Sequence, residues 1–203
     1  MNAIAIDTLI RERRVWRGQP TAPPPSAQPT GWPALDAALP TGGWPEAALS
    51  EILIAADGAG ELQLVLPTLA RLTQRGRRVS VVAPPYRVYA PAWRAAGVDL
   101  RWLTIIETAP DNIAWSLEQC LRSGACAAVL GWPGRADDRT LRRLQVAAAT
   151  GQTLGFVFRD RAALGNPSPA ALRLEVGVQP ARYIVHKCRG GNAPATSIAF
   201  TRA

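Results

Sequence analysis

Apolar residues recur along the chain in two patterns, short continuous runs and longer stretches with helical spacing. The continuous runs predict buried strands at EILIA, RRVSVVAP, LTIIET, CAAVLGW and TLGFVFR. The stretches around and between them predict helices over about 34–39, 61–75, 89–96, 111–123 and 138–149. Short buried strands that alternate with helices are typical of a mostly parallel sheet with helices on both faces. We therefore expect an α/β fold.

Both ends of the chain depart from this alternation. Apolar residues at helical spacing predict an amphipathic helix within residues 1–18, and a proline-rich linker follows over 19–30. Near the other end, ALRLEVGVQ and RYIVHKCRG alternate with period two, and TSIAFTR follows a glycine turn. This pattern predicts an antiparallel extension of the sheet. One core domain is expected over 31–203.

Composition limits the kinds of partner and compartment. The chain has 203 residues, 48% of them hydrophobic, which suits one domain, and its net charge is +8. Its arginines stand in short separate groups, which favours solvated faces over one nucleic-acid-binding block. Three cysteines without CxxC spacing indicate buried free thiols rather than disulfides or a zinc site. The N-terminal apolar stretch is too short for a signal peptide or membrane span, so we expect a cytoplasmic protein.

The segment ADGAGELQL, residues 56–64, follows the first predicted strand, in the setting of a phosphate-binding loop. A working loop reads GxxxxGK[ST]: backbone N–H groups wrap the phosphates, the lysine reaches the outer phosphates and the hydroxyl binds magnesium. Gly58 and Gly60 are present here, but Glu61 and Leu62 stand where the lysine and the hydroxyl belong. A carboxylate repels a triphosphate and leucine cannot ligate magnesium, so the loop is interpreted as degenerate.

Two further requirements of nucleotide hydrolysis are missing from the sequence. The strand CAAVLGW ends at Gly131, Trp132 and Pro133 rather than in a metal-binding acid, and VSVVAP runs into PPYR without a carboxylate to orient water. The sequence therefore predicts no bound nucleotide, no metal and no other cofactor. We interpret Trp132 as a ring that fills the vacated cavity, with a partner contact as the alternative.

The order of these landmarks resembles the RecA recombinase core from about residue 30 onward. The resemblance lies in PTGWPALDAALPTGGWPEAALSEILIAADGAGEL and in AWRAAGVDLRWLTIIETAPDNIAWSLEQCLRSGACAAVLGW. It places Glu61 at the phosphate-binding lysine, Leu62 at the metal-binding hydroxyl and Trp132 near the metal-binding acid. The resemblance implies a RecA-like core, a mostly parallel sheet with helices on both faces and a C-terminal antiparallel extension.

Two ATP-independent families of this superfamily are similar to the chain, the SulA inhibitors of cell division and the ImuA accessory factors. Both share features like LVLPTLARL, APPYRVYAPAWRAAG, RSGACAAVLGWPG and GFVFR. The chain continues beyond AALRLEV through VQPARYIVHKCRGGNAPATSIAFTRA, and it opens with RRVWRGQ before the proline-rich linker. Because these two segments resemble ImuA chains, the chain is identified as a member of the ImuA family.

The ImuA resemblance implies a non-enzymatic adaptor in SOS-induced, error-prone translesion DNA synthesis and mutagenesis, a form of DNA repair. Its partners would be an ImuB-like protein, an error-prone C-family DNA polymerase and the RecA filament, together with self-association. Such an adaptor would be cytoplasmic and associated with the nucleoid during DNA damage. Two alternatives stay open. One is a SulA-like inhibitor that binds the tubulin-like division protein, and the other is a divergent RecA-like ATPase.

Candidate contact residues follow the strand VSVVAP, since α/β sheets bind ligands and partners at the carboxyl ends of their strands. Aromatic residues with arginine are typical anchors of protein interfaces. The partner-binding candidates are Tyr86, Arg87, Tyr89 and Trp93 in this segment, and Trp132 at the end of the strand CAAVLGW. The alternative for Tyr89 and Trp93, four residues apart on a helix, is packing onto the sheet.

The tail holds a second, basic group of candidates. Arg182, Lys187 and Arg189 are expected to contact DNA phosphates or an acidic partner surface. His186, the only histidine, has no serine, cysteine or acid partner that local spacing supplies, which favours a structural or surface role. The serines lie in no GxSxG pattern. No enzyme site is predicted.

Overall fold

The computed structural model describes residues 25–58, 60–178, 181–194 and 196–199. Its helices are α1 (Pro33–Ala38), α2 (Glu61–Gln74), α3 (Ala90–Ala95), α4 (Ile113–Arg122) and α5 (Asp138–Thr150). Its strands are β1 (Leu49–Ile54), β2 (Val79–Val82), β3 (Leu103–Ile106), β4 (Ala128–Gly131), β5 (Leu154–Asp160), β6 (Leu172–Val178), β7 (Ala181–Cys188) and β8 (Ile198–Ala199). Short 3-10 helices lie at Leu100–Trp102, Pro110–Asn112 and Arg161–Gly165.

The strands of the described residues form one sheet in the order β3-β2-β4-β5-β1-β6-β7-β8. The six strands from β3 to β6 in this order are parallel, and β7 and β8 are antiparallel to their neighbours. The expected α/β class, with a mostly parallel sheet and an antiparallel C-terminal extension, is confirmed. Because β1 lies between β5 and β6, all six of its residues are buried, which explains its continuous apolar run.

Helices cover both faces of the sheet, as the alternation predicted. On one face, Leu64 and Leu69 of α2 pack in a cluster that includes Ile52 of β1 and Phe156 of β5. On the other face, leucines of α4 and α5 pack in a separate cluster with Leu49. The longest of these helices, α2, has 14 residues. Within the described residues, no helix has the length and apolar character needed to cross a membrane.

The ends of the helices follow local chemistry. Gly60, with φ of 100°, turns the chain into α2, and Gly76, with φ of 70°, turns it away after the helix. Asp137 caps α5, since its carboxylate accepts the Thr140 N–H at 2.8 Å. The predicted bounds of these helices agree with the observed ones to within one residue.

Residues 25–30, the second half of the predicted linker, pack on the domain. Ser26 N–H donates to Thr41 O at 2.7 Å, and Trp44 N–H donates to Gln28 O at 2.8 Å. Thr30 is fully buried, and its carbonyl accepts from the Thr68 hydroxyl at 3.2 Å. The proline-rich segment therefore joins the domain before residue 31, because its backbone groups find partners there. The predicted N-terminal helix and residues 19–24 lie outside the described residues.

Candidate functional site

The loop after β1 keeps the geometry of a strand-to-helix turn. Gly58 and Gly60 have φ of 79° and 100°, values that glycine adopts without the steric cost of a side chain. An added Cβ at Gly58 would meet no atom within 4 Å, so the requirement there is for backbone conformation rather than for space. These glycines let the chain leave the carboxyl end of β1 and enter α2 at once.

Glu61, the first residue of α2, folds its side chain back into this loop. It is only 3% exposed, and the Gly58 N–H donates to its Oε1 at 2.9 Å. Its Oε2 is buried without a hydrogen-bond partner among the described residues. A backbone N–H at the start of a helix is the kind of donor that a phosphate uses. The Glu61 carboxylate therefore already occupies a backbone N–H donor of this loop.

The two other positions that were interpreted as degenerate carry apolar side chains. Leu62 is partly buried against the apolar cluster under α2. Trp132, just beyond the end of β4, stacks on Phe158 of β5 with ring centroids 4.6 Å apart and an interplanar angle of 21°. Its Nε1 is buried and finds no acceptor in the described residues. The contacts of Trp132 are those of a packed ring. That it fills a former nucleotide cavity stays a prediction.

A network of charged side chains joins β1 to its neighbours β5 and β6, and it was not predicted from the sequence. Glu51 of β1 is fully buried, and its Oε1 accepts from Arg159 Nη1 of β5 at 2.6 Å. Arg173 Nε of β6 lies 2.8 Å from Glu51 Oε2. Arg159 Nη2 also donates to Ala136 O at 2.6 Å, and Arg173 Nη1 donates to Asn166 O at 2.8 Å. One carboxylate thus compensates two buried guanidinium groups.

His186 finds its acid across the antiparallel strands. Its Nε2 lies 2.8 Å from Oε2 of Glu175 on β6, whose other carboxylate oxygen is 2.7 Å from Arg161 Nε. Glu175 is buried and Arg161 is mostly exposed, so this group reaches from the interior to the surface. The histidine therefore contacts an acid that lies eleven residues away in the sequence, which local spacing did not supply.

The segment after β2 forms an exposed surface beside a shallow pocket. Tyr86 and Tyr89 are 67% and 69% exposed, and Arg87 is also exposed. The pocket, with a volume of about 430 Å³, lies between this segment and the end of β3 and is lined in part by Ile105. Trp93 does not join this surface, because it is 4% exposed and packs in the core. Packing onto the sheet therefore holds for Trp93 and not for Tyr89.

One large exposed side chain was not singled out from the sequence. Trp115 of α4 is 59% exposed. The same helix buries Leu117 and Leu121, so its helical spacing already places position 115 on the outer side.

The basic tail residues lie on and just after β7. Lys187 Nζ donates to Ser168 O at 2.7 Å. Partial burial lowers the pKa of Lys187, and the nearby charges of Arg189 and Arg173 lower it further. Arg182 pairs with Ala199 of β8, and Arg189 is exposed. A role of Arg182, Lys187 and Arg189 in contacts with DNA or an acidic surface stays a prediction.

The described residues present no arrangement for metal or thiol chemistry. No group of three or more His, Cys, Asp or Glu side chains within them is placed to hold a metal ion. Cys120, Cys126 and Cys188 are free thiols. Burial raises the pKa of Cys120 and of Cys188, which disfavours the reactive thiolate.

Comparison with known proteins identifies the family. The model of a family described as the cell division inhibitor SulA matches residues 47–155, which is more than half of the chain. The chain belongs to the SulA family. The match runs from the approach to β1 to the start of β5, and it includes the loop of Glu61 and the exposed Tyr86 and Tyr89.

Individual SulA proteins are similar over much of their length. SulA of Pectobacterium atrosepticum is 30% identical over 132 residues, which is 64% of this chain and 76% of that protein. SulA of Serratia marcescens is 24% identical over 114 residues, covering 56% of this chain and 68% of that one. The crystal structure of SulA from Pseudomonas aeruginosa is 25% identical, with a TM-score of 0.47, and the match covers 57% of this chain and 98% of that one.

Membership of the SulA family corrects the identification made from the sequence. The ImuA assignment is wrong, and so are the roles in translesion synthesis, mutagenesis and DNA repair that it implied. The ImuB-like protein, the C-family polymerase and the RecA filament are wrong as partners. The error has a clear origin. The features shared with ImuA chains lie largely within the matched residues, whereas the choice of ImuA rested on the two ends of the chain, which lie outside 47–155.

Proposed function

We propose that this chain is a non-enzymatic inhibitor of cell division, made after DNA damage, that binds the tubulin-like division protein FtsZ. The observation that supports this proposal is the SulA family match over residues 47–155. By binding FtsZ subunits, the chain would keep them from joining a polymer. Its action would then depend on complex formation and not on turnover.

We also propose that the domain from residue 31 is a RecA-like core without nucleotide chemistry. Support comes from the glycine loop that joins β1 to α2, in which Gly58 and Gly60 have positive φ. Further support comes from Glu61, whose carboxylate already accepts the Gly58 N–H. A triphosphate at that position would meet a buried negative charge.

The surface proposed to bind FtsZ consists of Tyr86, Arg87 and Tyr89. Two aromatic rings that are about two-thirds exposed carry much apolar area into solvent, and such area is released from water when a partner covers it. Arg87 makes no ion pair or hydrogen bond within the described residues, so its guanidinium is free for an acidic group. Tyrosine and arginine are enriched among residues that dominate interface energies.

The test is a titration of purified chain into FtsZ during GTP-driven polymerisation, followed by sedimentation and by GTP hydrolysis. We expect inhibition that is complete near one chain per FtsZ subunit. The triple variant Tyr86→Ala, Arg87→Ala, Tyr89→Ala should need at least about tenfold more protein for the same inhibition. Normal polymerisation in the presence of excess wild-type chain would refute the proposed function.

A matched control separates the proposed surface from a general loss of exposed groups. The double variant Arg139→Ala, Val146→Ala removes an exposed arginine and an apolar side chain that is 58% exposed, both on α5. It should inhibit like the wild type. If the control variant loses as much inhibition as the triple variant, the assigned surface is wrong even if the function is right.

A further inference from the structure

A small cavity lies at the amino-terminal edge of the sheet, opposite the loop that holds Glu61. Its volume is about 140 Å³, and its walls come from the end of α2, the turn before β1 and the starts of β4 and β5. Three arginines line it, Arg71, Arg75 and Arg77, against a single acid, Glu46. We call this cavity the arginine pocket.

Two of the three arginine side chains in the arginine pocket make no polar contact with the described residues. Arg75 and Arg77 are exposed, and their guanidinium groups make no ion pair or hydrogen bond with the described residues. Arg71 is held in place, since its Nη1 donates to Gln28 Oε1 at 2.9 Å and its Nη2 to Pro29 O at 3.2 Å. Two free guanidinium groups therefore stand beside a third whose position is fixed.

The one acid in the pocket is already engaged. Glu46 Oε1 accepts the Ala27 N–H at 2.5 Å and lies 3.3 Å from the Ser26 hydroxyl. Neither contact involves an arginine. The Glu46 carboxylate therefore binds the segment of Ser26 and Ala27, and it makes no salt bridge to the arginines of the pocket.

The last carbonyl groups of α2 do not pair with these arginine side chains either. Arginines near a helix C-terminus often serve to satisfy its last carbonyl groups. Here the backbone does so, because Arg77 N–H donates to Leu72 O at 3.0 Å and Gly76 N–H donates to Thr73 O at 2.9 Å. The pKa of Arg71 is lowered, first by its burial and then by the nearby positive charge of Arg75.

We propose that the arginine pocket binds a phosphate-class oxyanion, either a free phosphate or pyrophosphate ion or the phosphoryl group of a small metabolite. Guanidinium groups match the oxygens of such an anion with paired N–H donors and keep their charge at any physiological pH. The pocket differs from the glycine loop in the feature that matters for a ligand. The loop supplies its own anion through Glu61, whereas the one acid of the pocket, Glu46, makes no salt bridge to the pocket arginines.

The test is calorimetric titration of the full chain with pyrophosphate at low ionic strength. We expect saturable binding to the wild type and a loss of at least about tenfold in affinity for Arg75→Gln, Arg77→Gln. Arg139→Gln, which removes an exposed arginine on α5, serves as the matched control and should bind within about twofold of the wild type. Arg77→Lys keeps the charge, loses the paired donors and should fall between them.

Further arms identify the source of the anion. Glycerol 3-phosphate that binds more tightly than pyrophosphate would indicate a metabolite phosphoryl group, and the reverse order would indicate the free ion. Hexaglutamate that saturates the pocket while pyrophosphate does not would overturn the proposal in favour of an acidic protein segment. Absence of saturable pyrophosphate binding at about 1 mM would overturn it as well, as would an equal loss of affinity in Arg139→Gln.

Folding of the variants is checked by circular dichroism and by urea midpoint. Arg75 and Arg77 are exposed, so their glutamine variants should unfold at the wild-type midpoint. If the double variant does not fold, the single Arg75→Gln and Arg77→Gln variants carry the test, and wild-type affinity in both would overturn the proposal.

Discussion

Replacement of Glu51 by glutamine tests how the sheet tolerates buried charge. The change keeps the size of the side chain and removes its negative charge. Glu51 is fully buried, and the side chains of Arg159 and Arg173 are only 4% and 8% exposed. Glu51→Gln would therefore leave two guanidinium groups inside the protein without a counter-charge.

The size of the effect follows from this burial. Removal of one partner from a buried ion pair typically destabilises a protein by about 3 to 5 kcal/mol, because the other charge is left desolvated. Both arginines here retain carbonyl acceptors, including Ala136 O and Asn166 O, which moderates the loss. For a domain of this size, such a change lowers the melting temperature by about 6 to 20 °C.

The assay is equilibrium unfolding in urea, followed by far-ultraviolet circular dichroism and by tryptophan fluorescence. Coincident transitions for the two probes justify a two-state free energy. Arg142→Gln is the control, since it breaks the exposed pair with Asp138, in which the arginine side chain is 67% exposed. That pair is worth about 0.3 to 0.5 kcal/mol. A loss of unfolding free energy below about 1 kcal/mol for Glu51→Gln, or no greater than that of the control, would refute this prediction.

Two further predictions concern the loop after β1 and the packing of α4 on α5. Glu61→Lys should bind no more magnesium-ATP in equilibrium dialysis than the wild type, because Leu62 still replaces the metal-binding hydroxyl. Restored binding would contradict the interpretation of the loop as degenerate. Gly151→Ala should destabilise the protein by about 2 kcal/mol or more, because its Cβ would lie 1.9 Å from Leu121 O. Urea unfolding measures this, with Gly165→Ala, which meets no atom within 4 Å, as the control.

The element pattern was readable from the sequence because each element obeys a local rule. The continuous run of β1 reflects burial on both faces, and the glycines around α2 reflect backbone conformations that other residues avoid. Strand order was not readable in the same way. That β5 and β6 flank β1 depends on contacts between residues more than 100 positions apart, and no local pattern records them.

Candidate residues were found where a side chain breaks its local pattern, and they were missed where the partner is distant. Glu61 is conspicuous because a carboxylate stands in a phosphate-loop setting. Glu51, in the run SEILI, looks like an isolated polar residue until the register brings Arg173 opposite it. The same holds for His186, because its partner Glu175 lies on the neighbouring antiparallel strand and not nearby in the sequence. Sequence reasoning about buried charges therefore needs strand register, which the chain does not display.

The loop of Glu61 also bears on how the proposed inhibitor would be controlled. A nucleotide-binding loop changes state when its phosphate arrives or leaves. In this chain the Glu61 carboxylate is attached to the loop and lies 2.9 Å from the Gly58 N–H, so a dissolved anion would have to compete with it for that donor. We therefore expect no nucleotide switch at this loop, in which case the proposed effect on cell division would be set by the number of copies the cell makes. This expectation agrees with inhibition by stoichiometric binding and not with inhibition by a catalytic cycle.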